Sequence, residues 1–160
     1  MHRLFVSSLL LVASLFVAAG VVAPRPALAG PFSGKVIISD AEFGTGYGSD
    51  AELMKAVKKQ SKTTIKGEGT NWTFSLMVFL KEPPGATSIN IVYYDVSVHP
   101  RDQVNFSEVQ VQSTQKIVQV NGVSVSKDLG FVKGHKYEVV ATRVIGKKEK
   151  VYAKGAVTLK

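Results

Sequence analysis

The sequence predicts an all-β fold, an antiparallel sandwich or barrel of seven to eight short strands with one short helix near its start. Three observations lead to this prediction. Apolar and polar residues alternate through most of the second half of the chain. Turn signals separate the alternating runs at spacings of about 8–12 residues. A helical period of 3.6 is confined to one short segment before residue 61.

The start of the chain has the pattern of a secretory signal peptide. An apolar run from Leu4 to Ala23 is followed by Pro24-Arg25-Pro26, where proline ends any helix, and then by the small-residue cleavage pattern Ala27-Leu28-Ala29. We expect cleavage after Ala29, so that residues 1–29 are a signal peptide and residues 30–160 are one exported domain, periplasmic or extracellular. The alternative is an uncleaved membrane anchor, because about 20 apolar residues span a bilayer.

Composition narrows the chemistry of the exported domain. The chain has no cysteine, which excludes disulfides, cysteine-ligated metals and thiol nucleophiles. Loss of Arg3 and Arg25 with the signal peptide lowers the formal net charge from +8 to +6. Only Arg101 and Arg143 then remain as arginines, whereas nucleic-acid readers usually combine arginine with stacking aromatics. We therefore expect no nucleic-acid partner.

The first elements are a strand, a glycine loop and the single helix. Lys35–Ser39 is rich in β-branched residues and predicts a strand, and residues 40–48 predict a loop. Ser49 and Glu52 form a capping-box pattern at the start of a helix that ends by Gln60. Its apolar face consists of Leu53, Met54 and Val57.

Alternation defines the strands that follow. Trp72 and Phe74 share the face expected to enter the core, whereas Phe79 and Tyr94 have the opposite parity and are candidates for a second apolar surface. Asn121-Gly122 lies between two alternating runs and predicts a two-residue hairpin turn, because both turn residues need positive φ. Gly146-Lys147-Lys148 predicts the turn of a final hairpin.

The segment from Phe131 to Tyr137 resembles a feature of immunoglobulin-like and fibronectin-type domains. Phe131, Gly134 and Tyr137 precede an alternating strand as in a tyrosine corner. The resemblance implies an immunoglobulin-like β-sandwich in which the hydroxyl of Tyr137 bonds a backbone group upstream. Val139 occupies the position of an antibody cysteine, so the resemblance is to sandwiches without that disulfide. From Trp72 to Lys160 the chain is also similar to a loose set of secreted deltaproteobacterial proteins of unassigned function, which implies no activity.

Few residues in the exported domain suit catalysis or metal binding. His99 and His135 are its only histidines, and there is no Gly-x-Ser-x-Gly elbow. The carboxylates around the glycine loop do not have the spacing of a calcium-binding EF-hand, so we expect no metal and no cofactor. These carboxylates are Asp40, Glu42, Asp50 and Glu52.

Lysines form two clusters that are candidates for contact with anionic polymers or a membrane surface. We single out Lys58 and Lys59 in the helix and Lys147 and Lys148 at the final turn. The sequence does not say whether the two pairs share a face, and the alternative is that they serve solubility and protection of strand edges.

The sequence favours a secreted, non-enzymatic β-sandwich that binds or scaffolds an unknown partner in the cell envelope or outside the cell. A hydrolase using His99 or His135 with a carboxylate brought in by the fold is the first alternative. Lysine-mediated association with anionic envelope polymers is the second.

Overall fold

The computed structural model describes residues 30–160, and the predicted signal peptide at residues 1–29 lies outside them. This part of the chain contains eight strands and one α-helix, with short 3-10 turns at Gly30–Phe32 and Lys127–Leu129. The predicted all-β class with one short helix is confirmed. In chain order the elements are β1 (Lys35–Ser39), α1 (Asp50–Gln60), β2 (Thr64–Ile65), β3 (Asn71–Phe79), β4 (Ser88–Asp95), β5 (Asp102–Gln110), β6 (Ile117–Ser126), β7 (Lys136–Ile145) and β8 (Lys148–Leu159).

The strands form one mixed sheet in the order β5-β4-β7-β8-β1-β3-β6, with β2 pairing to β8. Most neighbours are antiparallel, but β1 and β2 each run parallel to β8. The expectation of a purely antiparallel sheet is therefore wrong. Since β1 is antiparallel to β3 and β8 is antiparallel to β7, the two halves of the sheet meet along strands that run in the same direction.

The sheet curls so that its two ends face each other across one core. Phe74 in β3 and Tyr93 in β4 are separated by three strands in the sheet order, yet their ring centroids are 6.5 Å apart, edge to face. Trp72 and Phe74, both predicted core residues, are buried. Strands β1 and β8 approach so closely at Gly155 that a Cβ atom there would lie 2.2 Å from the carbonyl oxygen of Val36.

A second, smaller apolar cluster lies beneath α1 on the opposite face of β1 and β3. Phe79 belongs to it, as predicted for a second apolar surface, but Tyr94, the other candidate, does not. Helix α1 begins as predicted, with Ser49 Oγ accepting from the N–H of Glu52 at 3.2 Å and the Glu52 carboxylate accepting from the N–H of Gly48 at 2.9 Å. The buried members of the cluster are Ile37, Phe43, Leu53, Val57, Met77 and Phe79.

No helix within residues 30–160 is long and apolar enough to cross a membrane.

The hairpin predicted at Asn121-Gly122 is wrong. Strand β6 continues through this dipeptide from Ile117 to Ser126, paired with β3 along its length. The register shifts between Phe74 and Leu76, so that Asn121 and Gly122 lie opposite the single residue Ser75. This arrangement is a β-bulge, in which Gly122 supplies a φ of 67°. The positive φ serves a bulge here because β3 lies beside β6 both before and after the dipeptide.

The last two strands form the hairpin predicted at Gly146-Lys147-Lys148. Strands β7 and β8 pair from Ile145 opposite Lys148 onwards. Pairing of β7 with β4 ends at Thr142, so residues 143–150 are paired only with each other. They project beyond the sheet as a two-stranded hairpin.

Candidate functional site

The outer face of β7 and β8, together with the loop between β4 and β5, forms a shallow pocket of about 580 Å³. Three cationic side chains and one carboxylate line it, which gives the pocket an excess of positive charge. Such a pocket attracts an anionic group of a ligand. Its lining residues are Val96, Arg101, Lys136, Glu138, Lys154, Gly155 and Ala156.

Strand pairing brings the charged groups together from distant parts of the sequence. Tyr94 in β4 lies directly opposite Glu138 in β7. Two residues farther along β7, Val140 lies opposite Lys154 in β8. Because alternate residues of a strand share a face, Tyr94, Glu138 and Lys154 all lie on the outer face of the sheet.

Arg101 reaches this face from the loop between β4 and β5, and two contacts hold its side chain in place. Its guanidinium lies over the ring of Tyr94, 4.2 Å from the centroid, which is a cation–π contact. Arg101 also forms an ion pair with Glu138, whose other carboxylate oxygen accepts from the ammonium of Lys154 at 3.3 Å. Partial burial raises the pKa of the Tyr94 hydroxyl. A tyrosine hydroxyl is in any case protonated at neutral pH, so it is available there as a hydrogen-bond donor.

An exposed aromatic ring extends the face towards the edge of the sheet. Phe106 in β5 is 60% exposed and lies opposite Val92 in β4, which in turn lies opposite Val140 in β7. Arginine and aromatic side chains are enriched at protein interfaces. We refer to the following five residues as the Arg101 face: Tyr94, Arg101, Phe106, Glu138 and Lys154.

His135 is the histidine to which the fold brings a carboxylate. Its Nδ1 lies 2.7 Å from Oδ2 of Asp95, a buried residue whose Oδ1 accepts from the N–H of Ser97 at 2.8 Å. Within residues 30–160 no hydroxyl bonds to the imidazole, and the Ser97 hydroxyl accepts from the N–H of Lys136 instead. His99 is exposed in the loop after β4. The geometry thus supplies the base and its orienting carboxylate, but no nucleophile in contact with them.

Tyr137 makes the backbone hydrogen bond that its resemblance to a tyrosine corner implies. Its hydroxyl accepts from the N–H of Val132 at 2.6 Å, and its ring lies 4.9 Å from that of Phe131, centroid to centroid. Gly134 adopts a φ of 88° in the intervening turn. Burial raises the pKa of the Tyr137 hydroxyl. These residues support the fold and do not line the pocket of the outer face.

The two lysine pairs lie at opposite ends of β8. Lys147 precedes this strand in the turn, and Lys148 begins it. Lys58 and Lys59 lie in the last turn of α1, and the segment after that helix pairs with the far end of β8 at Thr158. At about 3.3 Å per residue, the 12 residues of β8 span about 40 Å, several times the Debye length of about 8 Å at physiological ionic strength. The fold therefore does not combine the two pairs into one patch.

Two of the four carboxylates around the glycine loop, Asp40 and Glu52, have structural partners. Asp40 forms an ion pair with Lys62 at 3.4 Å, and Glu52 caps α1 through Gly48. No group of three histidine, aspartate or glutamate side chains within residues 30–160 is arranged to hold a metal ion. The loop is fixed by these contacts and by the side chains of β6.

Sequence reasoning placed Tyr94 opposite to the core parity, as a candidate for a second apolar surface, and counted Lys154 in the second lysine cluster. It did not single out Arg101, Glu138 or Phe106. Alternation gave a partial signal, since Glu138 lies between the core residues Tyr137 and Val139. Comparison of the chain with protein-family models, with curated proteins and with solved structures finds no match. The function is therefore inferred from the geometry of the chain itself.

Proposed function

We propose that the chain is an exported, non-enzymatic binding module of the cell envelope that contacts its partner through the Arg101 face. The observation that carries the proposal is the fixed position of Arg101, which is stacked on Tyr94 and paired with Glu138. A side chain that is ordered before binding loses less conformational freedom when the partner arrives. Phe106 supplies an exposed apolar anchor on the same face, so the partner offers an anionic group next to an apolar one.

The architecture that we propose for this module is an immunoglobulin-like β-sandwich. Support comes from the strand order, since β5-β4-β7-β8 and β1-β3-β6 are the two halves that face each other through Tyr93 and Phe74. The bond between Tyr137 and Val132 is further support, because such domains have a tyrosine at the start of the corresponding strand. The signal-peptide pattern of residues 1–29 supports export.

Site-specific photo-crosslinking tests the binding face. A photoreactive phenylalanine analogue is placed at Phe106 in residues 30–160, and at Leu129 as a control, which is also exposed but lies in the turn after β6. We expect one envelope component to be captured from the Phe106 position and not from the Leu129 position. Arg101→Ala should abolish this capture. Equal capture from both positions, or capture that survives Arg101→Ala, would show that the face has no specific partner.

A hydrolase remains the second candidate function, and the contact between His135 and Asp95 is the observation that favours it. A serine hydrolase needs a hydroxyl activated by such a pair. The test is labelling of the chain with a fluorophosphonate probe. Labelling that is lost in His135→Ala but kept in His99→Ala would establish a nucleophile activated by His135, whereas no labelling of the unmodified chain excludes this mechanism.

A further inference from the structure

The tip of the β7–β8 hairpin combines exposed apolar and basic side chains on a projection from the sheet. Val144 and Ile145 are adjacent residues of β7 and so point to opposite faces of the hairpin. Both are nevertheless exposed, by 59% and 47%. Lys147 and Lys148 follow them after Gly146, and neither forms an ion pair with another described residue. We refer to residues 144–148 as the hairpin tip. Since residues 143–150 lie beyond the pairing with β4, packing of the core does not account for the apolar pair.

The base of the hairpin is anchored, so the tip is presented on a fixed support. Arg143 Nη1 donates to the carbonyl oxygen of Pro84 at 3.0 Å. Lys150 Nζ lies 3.0 Å from a carboxylate oxygen of Glu82. Both partners belong to the loop between β3 and β4. An isolated two-stranded hairpin is marginally stable in water, and these two contacts hold this one in place.

We propose that the hairpin tip docks onto an anionic lipid surface, with Val144 and Ile145 entering the interface and Lys147 and Lys148 contacting headgroup phosphates. The two lysines outnumber the one exposed carboxylate beside them, that of Glu149 opposite Val144. Charge complementarity therefore supports this occupant, because basic residues near apolar ones add electrostatic attraction to apolar burial at such surfaces. The shape of the tip supports it as well. Five residues on a narrow projection are far fewer than the roughly 20–30 residues that each side of a stable protein interface provides.

The hairpin tip shares no residue with the Arg101 face, and the test is designed to keep the two proposals apart. Residues 30–160 are sedimented with vesicles of mixed zwitterionic and anionic phospholipid, and with purely zwitterionic vesicles, at low and moderate salt. We expect binding only to the anionic vesicles. Arg101→Ala should bind them as the unmodified chain does, so loss of the envelope partner and loss of vesicle binding are distinguishable outcomes.

Two matched pairs of variants locate the contact. Reversal of Lys147 and Lys148 to glutamate should weaken vesicle binding by about tenfold or more, whereas the same reversal at Lys58 and Lys59 should leave it nearly unchanged. The two variants have the same net charge. They differ in where the charge is reversed, at the hairpin tip or at the end of α1. Equal weakening by the two reversals would overturn the proposal, because it would show attraction by net charge alone.

The apolar pair is tested at constant charge. Val144→Ser with Ile145→Ser should weaken vesicle binding several-fold, and the control variant Leu129→Ser with Val132→Ser should not. The control residues are 46% and 44% exposed and lie away from the hairpin. Binding that does not change in the first variant overturns insertion into lipid. Binding to dextran sulfate with the same dependence on Lys147 and Lys148, and none on the apolar pair, would assign the tip to a soluble anionic polymer instead.

Discussion

The side-chain amide of Asn121 holds the backbone of Phe43 by both of its polar groups. Oδ1 of Asn121 accepts from the N–H of Phe43 at 3.2 Å, and Nδ2 donates to the carbonyl oxygen of Phe43 at 3.2 Å. Gln119 Nε2 donates to the same carbonyl at 2.7 Å. The bulge in β6 thus orients an amide that pairs with the glycine loop as a neighbouring strand would. This contact fixes the buried ring of Phe43 beneath α1.

The first prediction concerns this contact. Asn121→Ala should lower the free energy of unfolding by about 1–3 kcal/mol, because a backbone N–H next to a buried side chain loses its acceptor. Urea unfolding measures the change. Hydrogen exchange should show faster exchange at Phe43 with little change in β7. Gln103→Ala, at an exposed position of β5, is the control and should leave the free energy of unfolding within about 0.5 kcal/mol of the original.

The second prediction concerns the hydroxyl of Tyr137. Tyr137→Phe removes the acceptor of the Val132 N–H and should lower the free energy of unfolding by about 1–3 kcal/mol. Tyr93 is the matched control, because its buried hydroxyl makes no hydrogen bond of ordinary geometry within residues 30–160 and has only the Ser107 side chain as a polar neighbour. Tyr93→Phe should therefore be neutral or stabilising. Equal losses in the two variants, measured by urea unfolding, would contradict the role that we give to the corner.

The third prediction is a loss of stability at alkaline pH. Burial raises the pKa of Tyr93 and of Tyr137 above the ordinary value of 10.0. The folded state keeps these protons at pH values where the unfolded chain releases them, so the free energy of unfolding should fall as pH rises above about 10. The hydrogen bond to Glu82 also raises the pKa of the exposed Lys150, so this pair too contributes to the loss of stability at alkaline pH. The double variant Tyr93→Phe, Tyr137→Phe should show a shallower fall, and an unchanged slope would contradict the assignment to these tyrosines.

The fourth prediction concerns the junction of β1 and β8. Gly155→Ala should lower the free energy of unfolding by more than about 2 kcal/mol, because the added Cβ would lie 2.2 Å from the carbonyl oxygen of Val36. Gly44→Ala is the control, since a Cβ there would have its nearest neighbour at 3.4 Å. Thermal unfolding followed by circular dichroism compares the two. A glycine replacement tolerated equally at both positions would show that the junction opens without cost.

Local signals in the sequence were sufficient for most of the elements, but not for β2 or the unbroken β6, and they were insufficient for the pairing of the strands. The capping residues of α1 and the alternation around Trp72 are local, and both predictions were confirmed. The Asn121-Gly122 prediction was wrong because a hairpin and a bulge both use a glycine with positive φ, and only the presence of β3 alongside distinguishes them. The Arg101 face was missed because Arg101 and Glu138 meet through the register of β4 and β7, which alternation alone does not define.

The parallel pairing of β1 with β8 gives the fold a mechanical property. These two strands are neighbours and point the same way, so tension applied at the start of β1 and the end of β8 pulls them in opposite directions along their common axis. The contact between them consists of the single pair of Lys35 with Lys154 and includes the hydrogen bond from the N–H of Lys154 to the carbonyl oxygen of Gly34 at 3.0 Å. This contact is then loaded in shear and is not peeled apart as the end of a hairpin would be. A chain anchored at one end and held by a partner at the other would resist extension at this junction.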